Sequence, residues 1–342
     1  MPRRPTIDDV ARDAGVSKGA VSFALNNRPG VAPATRDRIL RVAADLGWTP
    51  SHRARALAAD RALAVGLVIA RPPETLGADP FFPAFIAGIE AALAPLGQSL
   101  LLQVVPDRER ELEGYRRLAA DGRVDGVFLT DLRIDDPRPA LLDEVGLPAV
   151  LIAPSCDDHQ GGVCVCVDDR PGIRAVVEHL LQLGHTRIAH VAGPAEFVHS
   201  ASRLEAWAGA LRAAGAPVGP LERADFSAQG GALATERLLD LPDPPTAIVY
   251  ANDLMAIAGL SVAQDCGIAV PAQLSVTGFD NTELAGYVTP PLTSVRTDPY
   301  LWGRNAADTL LKLIEGGPAD DVAVPATHLV VRASTAPPPP AA

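Results

Sequence analysis

Lys18 and Ser22 stand four residues apart in VSKGAVSFALN, residues 16–26. On a helix that spacing stacks an ammonium and a hydroxyl on one face, with Gly19 and Phe23 on the face beside it. A lysine donates to guanine O6 and N7, a hydroxyl holds a phosphate, and small or apolar side chains meet thymine methyl groups. The chemistry on offer is contact with a DNA groove. Signs of catalysis are missing by comparison. Seven histidines (His52, His159, His179, His185, His190, His199 and His328) are scattered without an HExxH. There is no GxGxxG after the first apolar run, no GxxxxGK[ST] and no GxSxG. Cys156, Cys164, Cys166 and Cys266 show neither paired-loop nor zinc spacing. Cys164 and Cys166 alternate with valines and are expected to point to one strand face as small apolar residues. No catalytic residue, metal or cofactor is expected.

A reading surface of this kind needs a short, rigid support, and the flanking sequence supplies one. Ile7, Val10, Ala11 and Ala14 fall at i, i+3, i+4 and i+7, one face of a helix. Thr6 and Asp9 form a capping box with Asp in place of the usual Glu or Gln. Gly15 supplies a turn and Ser17 caps a second helix from Lys18, with Val21 and Leu25 facing inward. Two short helices around a Gly-containing turn are the helix-turn-helix pattern, whose second helix enters the major groove. Pro33 opens a third helix with Ile39, Val42, Ala43 and Leu46 inward, ended by Gly47. A small helical bundle with a solvated lysine is the competing reading.

Beyond it, TPSHRARALAADRA is basic and too poor in apolar residues to fold alone. It is either a linker or a hinge that orders on DNA, with Leu57 as a minor-groove wedge and Arg53 and Arg55 near phosphates. Residues 1–60 carry 10 Lys+Arg against 6 Asp+Glu, a net +4, and the remainder carries −15. DNA contact is therefore confined to the head.

From Leu63 onward, short apolar runs alternate with amphipathic stretches. Strands are expected at 64–70, 99–105, 126–131, 149–153, 187–193, 247–252 and 274–280. Near-continuous apolarity fits parallel strands covered on both faces. The fold class is an all-α helix-turn-helix head followed by an α/β core of two doubly wound parallel-sheet lobes with a cleft between them. The expected boundaries are a head at 1–48 and a hinge at 49–61. One lobe takes 62–165 and 295–320, the other 166–294 and 321–333, and 334–342 form a disordered tail. No run of 18 apolar residues suggests a membrane span. MPRRPT lacks the apolar core of a secretory signal, so a cytoplasmic location is expected.

Taken in order, TIDDVARDAGVSKGAVSFALNNRPGVAP, DPFFPAFIAGIE, GHTRIAHVAG, SRLEAW, ANDLMAIAGL and VTGFDNTELAGYVTPPLTSVRTD resemble the LacI/GalR family of bacterial transcription factors along about residues 5 to 333. That resemblance implies a periplasmic-binding-protein-like core that dimerises and binds a small effector, a sugar above all. It implies DNA contacts at Ser17, Lys18, Gly19, Ala20, Ser22 and Asn26, with Ala56 and Leu57 as the minor-groove pair. Thr6, Phe23, Arg53 and Arg55 are counted with them. Phe23 stands where relatives often carry a base-directed arginine, and Ala32 where they often place a capping Ser. In the core the resemblance implies effector contacts at Phe81, Phe82, Arg203, Asn252 and Asp280, and Trp302 is expected to line the cleft. The structural alternatives are that Phe81 and Phe82 pack the lobe interface, that Arg203 pairs with a neighbouring carboxylate and that Asp280 caps the following turn. Asp253 is expected to cap the helix beginning near Leu254, and His185 to be structural.

The expected protein is an allosteric regulator, a repressor by first expectation, that binds a near-palindromic double-stranded operator as a homodimer. An α/β enzyme and a pure solute-binding protein are the alternatives. The first lacks a phosphate loop or nucleophile motif, and the second leaves the basic head unexplained.

Overall fold

The structure is a computed structural model that describes residues 5–25, 29–49, 61–155 and 162–340. The chain divides into two compact units, Met1–Leu63 and Ala64–Ala342.

The head holds α1 (Ile7–Asp13), α2 (Lys18–Leu25) and α3 (Pro33–Asp45). The Thr6 hydroxyl and N–H donate to the Asp9 carboxylate at 2.8 and 2.9 Å. Those two bonds draw the Asp9 carboxyl down to about 2. Gly15 turns the chain at φ 65°, a left-handed conformation that costs other residues more. The Ser17 hydroxyl then accepts the Ala20 N–H at 3.2 Å and starts α2. Val10, Val21 and Ile39 are fully buried where the three helices meet. Such burial stabilises by roughly 1.5–3 kcal/mol per side chain, so a core this small rests on few contacts.

In the second unit, one sheet contains β1 (Ala64–Ala70), β2 (Ser99–Val105), β3 (Val127–Leu129), β4 (Ala149–Ala153), β5 (Val163–Cys166) and β11 (Val322–Ala323). Their order is β11-β5-β4-β3-β1-β2, all parallel. Val65, Leu67 and Ile69 of β1 enter one core cluster and Val68 enters another. The continuous apolar run is thus a strand buried on both faces. The other sheet has β6 (Ile188–Ala192), β7 (Leu221–Arg223), β8 (Ala247–Tyr250) and β9 (Ser275–Thr277), parallel in the order β7-β6-β8-β9. An antiparallel ribbon of β10 (Ser294–Arg296) and β12 (His328–Val330) is bridged to it through Thr277 and Thr293.

Helices α4 (Pro73–Ala78), α5 (Phe81–Leu93), α6 (Arg108–Ala120), α7 (Arg138–Glu144) and α12 (Pro299–Ile314) belong to the first lobe. The second has α8 (Arg170–Gln182), α9 (Val198–Ala213), α10 (Ala228–Leu239) and α11 (Asp253–Asp265). Helices α5 and α12 touch backbone to backbone. A Cβ on Gly303 would lie 2.0 Å from the Phe85 carbonyl oxygen, so only glycine fits there.

The expected lobe boundaries shift in three places. All of β5, including Cys166, pairs in the first sheet. Strand β10 through Arg296 stays with the second lobe, while Val322 and Ala323 return to the first. The disorder expected from residue 334 is not found at Ser334 or Ala336. Ser334 is fully buried, donates to the Val276 carbonyl at 2.6 Å and accepts the Thr293 N–H at 2.8 Å. The Ala336 carbonyl lies 2.9 Å from His185 Nε2 and 3.1 Å from the Ser275 hydroxyl. Composition suggested disorder because it carries no record of such hydrogen bonds. These bonds make His185 structural. Cys164 and Cys166 enter one core cluster as expected, but Cys166 is also disulfide-bonded, which its spacing did not announce.

Candidate functional site

The C-terminal ends of the parallel strands in both lobes converge on a cavity of about 90 Å3. Open α/β sheets bind ligands at this edge. The first lobe contributes Arg71 after β1, Asp79 and Phe81 at the start of α5, Asp131 after β3, and Trp302 from α12. The second lobe contributes Asp169 before α8, His199 and Arg203 on α9, Phe226, Asn252 and Asp280. Two backbone bonds close the lobes beside it: Ile134 N–H donates to Glu196 and Val198 N–H to Leu132, each at 2.9 Å. A wider groove of about 1020 Å3 lies along α8 and α9 and shares Leu132, Ala153 and Pro154 with the cavity. Its wall is mainly aliphatic, with Arg133, Asp136, Arg170, Arg174, Glu178 and Glu205 among the polar residues that line it.

Both guanidinium groups are already engaged. Arg71 donates from Nε and Nη2 to the two oxygens of Asp131 at 2.7 Å each, and from Nη1 to Asp79 at 3.1 Å. Burial pulls its pKa down, but these carboxylates outweigh it and leave it raised. Arg203 donates from Nε to Asp169 at 2.7 Å and from Nη1 to the Ala251 carbonyl at 2.8 Å. Its guanidinium carbon sits 3.9 Å from the centre of the Phe279 ring, close enough for a cation–π contact.

The acceptors left over are carboxylate oxygens. Asp169 Oδ1 is buried without a hydrogen-bond partner. Burial raises the Asp169 carboxyl above its ordinary value, with Arg203 opposing. The Asp280 carboxylate accepts no hydrogen bond from a described residue, and burial raises its pKa well above the usual range. Its backbone is pinned in the left-handed region at φ 108°, with its N–H donating to Val295 at 2.9 Å.

Aromatic rings form two walls. Phe81 stacks on Phe85 with centroids 5.4 Å apart and leans on Trp302 at 6.0 Å. The Asp79 carboxylate fixes Phe81 by accepting its N–H at 3.0 Å. Opposite, His199, Phe197 and Phe226 cluster as near-parallel rings, with His199 5.4 Å from Phe197 and 5.6 Å from Phe226 and the two phenyl rings 6.4 Å apart. Burial first, then Arg203, pushes the His199 pKa down to about 3, so the ring is neutral. Gly193 makes room for this wall, since a Cβ there would come within 2.2 Å of the Phe226 ring.

Of the expected cleft residues, Phe81, Arg203, Asn252, Asp280 and Trp302 line the cavity. Phe82 does not. It is 2% exposed in the first-lobe core and reaches the site only as a ring beneath Arg71, 5.4 Å away. Asn252 lines the cavity but also serves as the N-cap of α11, where its Oδ1 accepts the Met255 N–H and its Nδ2 donates to the Phe226 carbonyl, both at 2.9 Å. The cap expected of Asp253 therefore belongs to Asn252. Asp253 instead accepts bonds from the Ser294 hydroxyl (2.5 Å) and the Thr282 N–H (2.7 Å). Arg71, Asp79, Asp131, Asp169, His199 and Phe226 went unforeseen. Arg71 and Asp131 each sit at the end of an expected strand, a position that would have flagged both.

On the head, Ser17, Lys18 and Gly19 are exposed at the start of α2, and Ala20 and Ser22 are half-buried. Lys18 forms an exposed ion pair with Asp8. Phe23 is 41% exposed and stays out of the head's core. Thr6 caps α1. Asn26, Arg53, Arg55, Ala56 and Leu57 lie outside the described residues.

A helix-turn-helix head joined to a two-lobed core with a polar, aromatic-walled cleft defines the class of ligand-responsive DNA-binding regulators. Residues 6–51 match the profile described as bacterial regulatory proteins, lacI family, and residues 177–335 that of the periplasmic binding protein-like domain. The chain is 36% identical over 338 residues to the HTH-type transcriptional regulator CelR of Thermobifida fusca, covering 97% of this chain and 98% of that protein. It superposes on the solved transcriptional regulator CelR–cellobiose complex with a TM-score of 0.73 at 36% identity, over 97% of this chain and 100% of that one. The lac repressor dimer bound to operator and the anti-inducer ONPF gives 0.83 at 29% identity, over 98% and 100% of the two chains. The chain belongs to the LacI family of bacterial transcriptional regulators.

Proposed function

We propose that this protein is a repressor whose operator affinity is set by a sugar-like effector bound between the lobes. The observation that carries the effector site is the pair of uncommitted acceptors, Asp280 and Asp169 Oδ1, enclosed between aromatic walls. Sugars present C–H faces that rings cover and hydroxyls that carboxylates accept. In this reading Asp280 and Asp169 receive hydroxyls, Asn252 offers its spare Nδ2 hydrogen, and Phe81, Trp302 and Phe226 cover the ring. The relatives' described ligands, cellobiose and ONPF, agree with that chemistry. A non-enzymatic role in the cytoplasm follows from the same reading.

The cavity of about 90 Å3 is far below the roughly 300–1,000 Å3 typical of ligand pockets. A sugar ring enters only when the lobes part and re-close around it, which couples occupancy to lobe orientation. On the DNA side, Ser17, Lys18, Gly19, Ala20, Ser22 and Phe23 present the reading surface, with Asn26 and the hinge residues Arg53, Arg55, Ala56 and Leu57 assigned by resemblance alone. A homodimer would place two heads on the halves of a near-palindromic operator. Strand β2 is the edge of its sheet and exposes Leu102 and Val104 on one side, a surface suited to a second copy. Calorimetry with a sugar panel tests the effector site. Binding by one sugar that is lost when Asp169→Asn is combined with Asp280→Asn supports it, and unchanged binding in that double variant removes both carboxylates from the site.

A further inference from the structure

The side of α2 that faces away from the head's core carries no hydrogen-bonding side chain. Val21 and Ala24 are buried, and at about 100° per residue Gly19 and Phe23 fall on the opposite side of the helix. Both are exposed, and Ala20 beside them is half-buried. The polar residues Lys18 and Ser22 lie on one flank only, and Lys18 is paired with Asp8. Phe23 is 41% exposed, yet one edge of its ring rests on the chain at Gly30. A Cβ on Gly30 would lie 3.5 Å from Phe23 Cδ2 and 3.7 Å from Cε2. Gly30 holds φ 111°, a conformation that favours glycine, so the ring's support is set by the backbone. The ring is braced on the head from one side and offered outward on the other.

We infer that Phe23 reads a methyl group: its ring packs on the C5 methyl of one pyrimidine in each operator half-site, a thymine in unmodified DNA. This inference rests on the reading of α2 as the helix that enters the major groove, and it narrows what that helix selects. Base edges in the major groove present donors and acceptors, and the thymine methyl is their apolar group. A phenyl ring set against guanine N7 and O6, adenine N7 and N6 or cytosine N4 displaces water and returns no hydrogen bond, which disfavours those bases at that place. Gly19, one turn earlier, leaves room for close approach. A Cβ there would meet only the Ser17 hydroxyl, at 3.8 Å, so the end of the helix beside Phe23 is unobstructed. Recognition of a methyl also means that 5-methylcytosine is bound better than cytosine at the same position.

The test uses an operator selected from random duplexes by the full-length protein. Each thymine is then replaced by deoxyuridine, which keeps O4 and lacks only the methyl. Anisotropy should reveal one thymine per half-site whose replacement weakens binding about 4-fold, and about 15-fold when both halves are changed, the effect of one buried methyl in each. With cytosine placed there, 5-methylation should recover about 4-fold per half-site. Phe23→Ala should bind the thymine and deoxyuridine duplexes equally, and Phe23→Leu should keep part of the preference. Should Phe23→Ala not bind at all, Phe23→Leu decides, since its deoxyuridine penalty must then fall below that of the parent protein. Tolerance of deoxyuridine at every position overturns the inference, as does a methyl effect that survives Phe23→Ala, because another residue would then read it. Deoxyuridine tolerance together with weaker binding by Lys18→Ala rejects the methyl contact and leaves α2 as the reader. Operator selectivity untouched by both Lys18→Ala and Phe23→Ala, or a selection that yields no preferred sequence, removes α2 from the groove, and the underlying reading falls with the inference.

Discussion

Asp280 combines two costs that a purely structural residue would shed. Its φ of 108° is one that a non-glycine residue holds at about 1–3 kcal/mol, and its buried carboxylate has no donor among the described residues. Asp280→Ala is therefore expected to leave operator binding intact, remove the effector response and leave thermal stability equal or higher. Anisotropy with and without effector, beside a melting curve, checks all three. Asp253 makes a different prediction. Burial raises its pKa from 3.8 to about 6 in the folded protein, so the fold holds the proton more tightly than the open chain does. Its stabilising contribution is complete below about pH 4 and lost as pH rises through 6, on the order of 3 kcal/mol in all. Denaturant midpoints across pH 4–7 should show that loss, and Asp253→Asn should flatten it. Adjacent residues also show where the sequence misleads. Asn252 and Asp253 are both good capping types, and only the paths of β8 and the Ser294 segment decide which one caps.

Helix α2 was legible because its apolar spacing, its Ser17 cap and the Gly15 turn all point the same way. Lys18→Ala should weaken operator binding about equally across sequences if Lys18 meets phosphate, lowering the salt slope by roughly 1. Loss of discrimination at one base pair would assign it to a base instead. The long strands β1, β2 and β4 match their expected limits. Strands β7, β10, β11 and β12 were not foreseen, since they have only two or three residues and so carry no hydrophobic period to read. Their pairing is set by long-range bonds such as those of Ser334. The wall built by Phe226 depends on the turn after β6. Gly193→Ala is expected to force the ring aside, destabilise the core by about 1–3 kcal/mol and weaken effector binding. Unchanged affinity with normal stability would contradict the role given to that wall.

At the scale of the molecule, the sequence disclosed the head, the two lobes and half the cleft, because helix caps, buried strands and strand ends leave local marks. The Arg71–Asp131 and Arg203–Asp169 pairs were hidden, since each joins residues 60 or 34 positions apart and the partners are chosen by the fold. The basic head and acidic body direct DNA to one end of the chain. Replacing Leu102 and Val104 by lysine should yield monomers in sedimentation velocity and reduce operator affinity, while a dimer that survives would move the interface away from β2. The central claim is that DNA and effector occupy linked sites. It is tested most directly by fluorescence anisotropy on DNA from upstream of the protein's own gene, with competitor DNA, a salt series and a panel of sugars. The account predicts tight, salt-sensitive binding that one sugar shifts by a factor of about 5–150. Specific operator binding that no cleft ligand alters, even one shown by calorimetry to bind, would contradict it.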